Sequence, residues 1–164
     1  MRPSFFTKIH ILAVSFLLLI HINQVVAADK PDRLAGLWAQ VDEKSGKIQS
    51  LVRIVETTPD RYEGIVEKIY VAAGEDPNPR CEDCKGVRKN QPVLGLRIIT
   101  DLSRATGGDN VFEGGEILDP DSGETYRLKI TVLDAGKKLD VRGYIGIALF
   151  GRSQIWLREP GLTK

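Results

Sequence analysis

The feature that most constrains this chain is strict alternation of apolar and polar residues with a period of two, broken every few residues by a turn signal. Such alternation places successive side chains on opposite faces of an extended strand and leaves little room for a helix, whose apolar period is 3.6. Leu37, Ala39 and Val41 alternate with Trp38 and Gln40. After a Lys44-Ser45-Gly46-Lys47 turn, Val52 and Ile54 alternate with Leu51 and Arg53 within 48–57. Further strands are predicted over 62–71, 94–100, 113–118, 125–133, 138–145 and 153–158, with Asp-Ser-Gly and Asp-Ala-Gly hairpin turns among the later ones. One helical turn at most fits 102–107, and no internal repeat is present.

Eight strands joined mostly by short turns predict an antiparallel up-and-down meander, because parallel pairs need crossovers of about a dozen residues or more. The long irregular stretch is 72–92, which carries Pro77, Pro79, Pro92 and both cysteines. Eight strands can stack as a sandwich or close into a barrel. Closure is preferred here because it removes exposed edges, and an eight-stranded barrel is either filled by side chains or holds one small ligand. The chain ends agree: Trp38 opens the first strand, and Trp156 and Arg158 close the last. An arginine laid across an indole would seal the seam between them.

The N-terminus carries a different pattern. Arg2 and Lys8 precede an apolar run over 9–22, which leads to Val25-Val26-Ala27-Ala28, with no acidic residue before Asp29. A basic start, an apolar segment and a small-residue exit predict a removable export signal over 1–28, cleaved after Ala28, with a periplasmic or secreted domain over 29–164. His10, His21, Asn23 and Gln24 keep the run short of a membrane span. No span is expected once the signal is gone.

Removal of that segment changes the chemical inventory. The two histidines of the chain are His10 and His21, so the mature domain has none. Histidine-based nucleophilic catalysis, histidine metal triads and imidazole acid–base work are thereby excluded. The formal charge of +1 includes Arg2 and Lys8 and falls to about −1 without them, which leaves no basic excess for nucleic acid. No metal or cofactor is expected.

Cys81 and Cys84 are expected to pair in an oxidising compartment and to staple the long loop. A redox-active pair is the sharper alternative, but Glu82 and Asp83 lie between the sulfurs and disfavour a thiolate. Asp119-Pro120-Asp121-Ser122-Gly123-Glu124 reads as a hairpin turn, because the glycine and glutamate of a calcium loop fall at the wrong positions. Tyr126, Leu128 and Ile130 form an inward stripe that serves as core or pocket wall. Arg142 and Tyr144 share one strand face and are either solvated outside or line a cavity, depending on which way the strand turns. Glu63, Glu67, Glu113 and Glu116 show no spacing that identifies a facing catalytic pair.

The chain resembles a family of small secreted bacterial proteins catalogued as domain of unknown function 2147. The matching stretches are Gly36-Leu37-Trp38, Cys81-Glu82-Asp83-Cys84-Lys85-Gly86, Pro92-Val93-Leu94-Gly95-Leu96 and Gly114-Gly115-Glu116-Ile117-Leu118-Asp119-Pro120. Leu139-Asp140-Val141-Arg142-Gly143-Tyr144-Ile145-Gly146 and Gly151-Arg152-Ser153-Gln154-Ile155-Trp156 continue the match. Phe112 and Ser153 depart from the tryptophan and threonine expected there. The resemblance implies a lipocalin-like (calycin) barrel and brings no catalytic residues with it.

The function expected from these readings is a non-catalytic, exported barrel that takes a small apolar or amphipathic ligand, with Tyr126, Leu128, Ile130, Arg142 and Tyr144 as candidate ligand contacts. The alternatives are an interaction module that docks an envelope partner through its outer surface and, behind it, a thiol-redox protein.

Overall fold

The computed structural model describes residues 33–159; the leader over 1–28 lies outside the described residues. Eight strands form one sheet: β1 (Gly36–Val41), β2 (Ile48–Thr58), β3 (Arg61–Ile69), β4 (Arg97–Arg104), β5 (Val111–Leu118), β6 (Thr125–Leu133), β7 (Lys138–Tyr144) and β8 (Gly151–Arg158). Each pairs antiparallel with the next, and β8 returns to β1 through Trp38↔Arg158, Ala39↔Leu157 and Gln40↔Trp156. The sheet is therefore a closed up-and-down barrel with no free edge.

One strand boundary moves. The segment expected over 94–100 begins at Arg97 and runs on through Arg104, across the place where a helical turn was expected. Gly95 has a φ of 83° and Leu94 is exposed, so the apolar run before Arg97 stays in the loop. Asp101, at a φ of 54°, supplies the irregularity that turns Leu102 inward opposite Tyr62.

The interior is a single buried cluster to which every strand contributes. Its largest members, Trp38, Trp156, Tyr62 and Phe112, are fully buried, and each contributes roughly 1.5–3 kcal/mol or more through removal from water. Two arginines brace the end where β1 begins. Arg158 lies 4.1 Å from the Trp38 ring centre and donates to the carbonyls of Gly136, Ala35 and Arg33, while the Trp38 Nε1 donates to Leu34 O at 2.8 Å. Arg104 stacks 4.8 Å from the Phe112 ring and donates to Tyr62 Oη and Asp60 Oδ1. Tyr62 meets Phe112 edge-on at 5.1 Å. This is the closed end.

Exposed turns are pinned by carboxylates. Asp42 accepts from the Ser45 hydroxyl and amide, Asp134 pairs with Lys138 at 2.8 Å, and Glu67 forms a two-point pair with Arg53 across β2 and β3. The Ser45 hydroxyl, the Lys138 ammonium and the Arg53 guanidinium respectively hold these three acids below their ordinary values, 3.8 for aspartate and 4.5 for glutamate. Their stabilisation is present above those values and is lost as pH falls through the lower folded-state ones. Asp121 runs the other way, raised first by burial and then by the Asp119 charge. The urea midpoint is therefore expected to hold from neutral pH to about pH 5 and to drop below about pH 4. A midpoint unchanged at about pH 3 would contradict the assignment.

Candidate functional site

The opposite end of the barrel is the open one. It gathers the β1–β2, β5–β6 and β7–β8 turns together with the long β3–β4 connection. Side-chain burial changes along the barrel axis. The closed-end layer is fully buried, whereas Gln40, Ile117, Tyr126, Gly143 and Gln154, all on inward positions nearer the open end, are only half-buried. The inward assignment follows from register: Gln40 shares a face with Trp38, Gln154 with Trp156, and Tyr126 with Leu128 and Ile130. The result is a shallow vestibule above a packed floor.

Its two walls differ in chemistry. On β1, β2 and β8, the Ser50 hydroxyl donates to Gln40 Oε1 at 2.8 Å and Gln40 Nε2 donates to Gln154 Oε1 at 3.1 Å. Trp156 Nε1 donates to that same Gln154 oxygen at 2.9 Å, and Gln154 Nε2 reaches Val41 O. The chain of bonds holds both carboxamides in place and leaves each with one N–H uncommitted among the described residues. On β5, β6 and β7 the wall is Ile117, Tyr126 and the bare backbone of Gly143, where an added Cβ would lie 3.5 Å from Tyr126 and 3.7 Å from Ile117. One wall offers neutral hydrogen-bond donors and the other offers apolar and aromatic surface.

The cysteine loop closes one side of this end. Cys81 and Cys84 form a disulfide with a Cα–Cα distance of 5.3 Å, and both are buried in the main cluster. The loop is ordered by its own backbone bonds, Cys81 N to Gln91 O and Asn90 N to Cys81 O, both 2.9 Å, and by Arg80 bridging to Pro92. It sits against the β5–β6 turn: Pro120 O is 3.2 Å from Cys81 Sγ, and Arg88 reaches Thr125.

The residues singled out in the sequence separate into three places. Tyr126 lines the vestibule, while Leu128 and Ile130 lie in its sealed floor with no exposure. Arg142 and Tyr144 stand on the face opposite Leu139 and Val141, outside the barrel, where Arg142 donates to Ala148 O, Leu149 O and Ser153 Oγ. Trp38, Trp156 and Arg158 meet at the seam. Glu63 and Glu67 are tied to Arg97 and Arg53, and Glu113 and Glu116 are exposed. Asp119 is used within its own turn, accepting from Asp121 N and Ser122 Oγ. Among the described residues no group of three His, Cys, Asp or Glu side chains is placed to hold a metal, and no helix is long and apolar enough to cross a membrane. Gln40, Ser50, Gln154 and Arg104 escaped the sequence reading. Polar residues within strands resemble solvated positions, and only pairing with Trp38 and Trp156 in register marks the glutamines as interior.

Comparison with known proteins agrees with this architecture. The family described as an uncharacterized protein conserved in bacteria (DUF2147) matches residues 36–158. No curated protein matches the chain. Among solved structures, protein HP1028 from the human pathogen Helicobacter pylori, described as belonging to the lipocalin family, superposes with a TM-score of 0.63. It is 18% identical in sequence, and the match covers 77% of this chain and 82% of that one. At that identity the likeness speaks for the fold.

Proposed function

This chain belongs to the DUF2147 family of bacterial proteins, and from that premise and its lipocalin-like barrel we propose that it is an exported, non-catalytic protein that holds a small amphipathic molecule in the vestibule at its open end. The carrying observation is the pairing of two walls: fixed carboxamides of Gln40 and Gln154 face the half-buried Tyr126 and Ile117. A polar head meets neutral donors and an apolar portion meets the aromatic wall, the usual composition of a small-molecule site. The packed floor limits the ligand to one that fits above Leu128 and Trp156. Export is read from the leader and from the disulfide, which suits an oxidising compartment. The thiol-redox alternative has against it the burial of both sulfurs, since thiol exchange needs an accessible one. An interaction module on a filled scaffold is the second reading, favoured by the packed closed half.

Gly143→Leu is the discriminating variant. Gly143 does not have a positive φ, and its missing Cβ opens into the vestibule, so a leucine there fills the site at modest cost to the fold. Native mass spectrometry of protein recovered from its own cell envelope is expected to show a bound small molecule in the wild type and none in Gly143→Leu. Anilinonaphthalene sulfonate fluorescence should fall in parallel. An empty wild type with equal dye binding in both proteins would eliminate the carrier reading and leave the interaction module.

A further inference from the structure

The β7–β8 connection departs from the rules that govern the other turns. Its sequence from Ile145 to Phe150 is Ile-Gly-Ile-Ala-Leu-Phe, with no polar side chain. Ile145, Ile147, Leu149 and Phe150 are 72%, 59%, 76% and 76% exposed. Four large apolar side chains on one six-residue protrusion make a contiguous exposed patch, which soluble surfaces avoid unless the patch is used.

The backbone of this loop is prepared for a place without water. Gly146 O accepts from Arg127, Ile147 O from Phe150 N, and Ala148 O and Leu149 O from the Arg142 guanidinium. Four successive carbonyls are thus satisfied by the protein itself. That removes the main cost of burying a non-helical segment at membrane depth. The neck of the loop carries Arg127, Arg142, the exposed Arg152 and the ring of Tyr144, with Glu43 the carboxylate nearby, 3.9 Å from Arg152. Cations and an amphipathic ring just behind an apolar tip match the order of a bilayer interface: phosphate headgroups outside, acyl chains within.

We propose that the β7–β8 loop seats the open end of the barrel on a phospholipid surface that contains anionic lipid, with Leu149 and Phe150 entering the acyl boundary and the arginines of β6, β7 and β8 meeting headgroup phosphates. A bilayer suits the loop better than a folded partner, because the tip offers no side-chain hydrogen bond to set an orientation, and protein interfaces carry about one per 100–200 Å². The inference stands apart from the ligand reading: an empty vestibule would leave it intact.

Vesicle partitioning tests it, with phosphatidylethanolamine–phosphatidylglycerol vesicles set against phosphatidylcholine alone. Leu149→Ser/Phe150→Ser is expected to lower partitioning onto the anionic vesicles by at least about tenfold, the factor that loss of a single buried leucine or phenylalanine implies. Arg152→Gln should lower it about fivefold and weaken its salt dependence. All proteins share one N-terminus, so a leader left in place contributes equally to each. In a second measurement the emission of Phe150→Trp should shift to the blue on anionic vesicles and be quenched by brominated lipid, which reads insertion even if the serine variant fails to fold. Equal partitioning of wild type and double variant, or Phe150→Trp emission indifferent to vesicles, overturns the proposal. A wild-type dimer that the double variant splits, with partitioning unchanged, would overturn it in favour of a second copy as occupant.

Discussion

Trp38→Ala is expected to cost about 3–5 kcal/mol, the range for removing a large aromatic side chain from a packed core. Domains of this size are stable by roughly 5–15 kcal/mol in total, so the variant should be largely unfolded at mild denaturant concentrations. Trp38 is completely buried, its Nε1 anchors Leu34, and Arg158 covers its face. The same seam predicts an asymmetry at Arg158. Lysine keeps the charge but not the planar fork that reaches the carbonyls of Gly136, Ala35 and Arg33. Arg158→Lys and Arg158→Ala should therefore both lose about 2 kcal/mol or more, given about 1.5–3 kcal/mol for a hydrogen bond to a charged group. Gly36 is part of this joint, because a Cβ there would lie 2.3 Å from Arg158 Nη1. Urea unfolding followed by tryptophan fluorescence measures all three positions. An Arg158→Ala midpoint equivalent to less than about 0.5 kcal/mol of change would show that the seam is held by strand pairing alone.

The second large effect concerns the cysteine loop and comes with an internal control. Gly123 and Gly46 have nearly the same backbone, φ 68° and 69°, and both sit in hairpin turns. Alanine at Gly46 meets nothing within 4 Å, whereas alanine at Gly123 would place its Cβ 2.2 Å from Asp83 O and 2.7 Å from Cys84 N. Both substitutions carry the left-handed penalty of about 1–2 kcal/mol. Gly123→Ala adds a collision with backbone that cannot rotate away, an overpacking cost of about 1–3 kcal/mol. The loop should lift from the β5–β6 turn, and amides of Asn90 and Gln91 should exchange faster while those of β7 do not. The disulfide of Gly123→Ala should also become reducible at lower thiol concentrations. If Gly123→Ala and Gly46→Ala match in stability and exchange, the close approach of loop and turn has no energetic weight.

Much of the barrel was legible because turns and alternation are local signals. Each hairpin turn and each run of alternating residues speaks for a strand without reference to distant chain, and a run of short antiparallel links admits few topologies. The seam was legible for another reason: an indole at one end of the chain and an arginine at the other have a specific geometry in which they meet. The vestibule was not legible. A two-residue period marks two faces without saying which is inside, and in β1 and β8 the better-looking apolar set, Leu37, Ala39, Ile155 and Leu157, stands on the outer face. The interior received Gln40 and Gln154, made tolerable there by their bonds to Ser50, to Trp156 and to each other. Arg142 and Tyr144 were placed by the same choice of face, and with them the support under the β7–β8 loop.

Sequence alone, then, determined eight strands, their antiparallel order, the closing pair of Trp38 and Arg158, and a described domain without imidazole chemistry. Each of these depends on residue identity or on neighbours a few positions apart. Tertiary structure decided which face of each strand points inward, how deep the packed floor reaches, and which loop is left bare at the open end. Those outcomes depend on bulges at Gln40/Val41, Leu51/Val52 and Glu113/Gly115 that shift the register, and a one-residue shift in a strand exchanges its two faces. Only the closed ring of eight strands, in which every register must agree with the next, selects one solution.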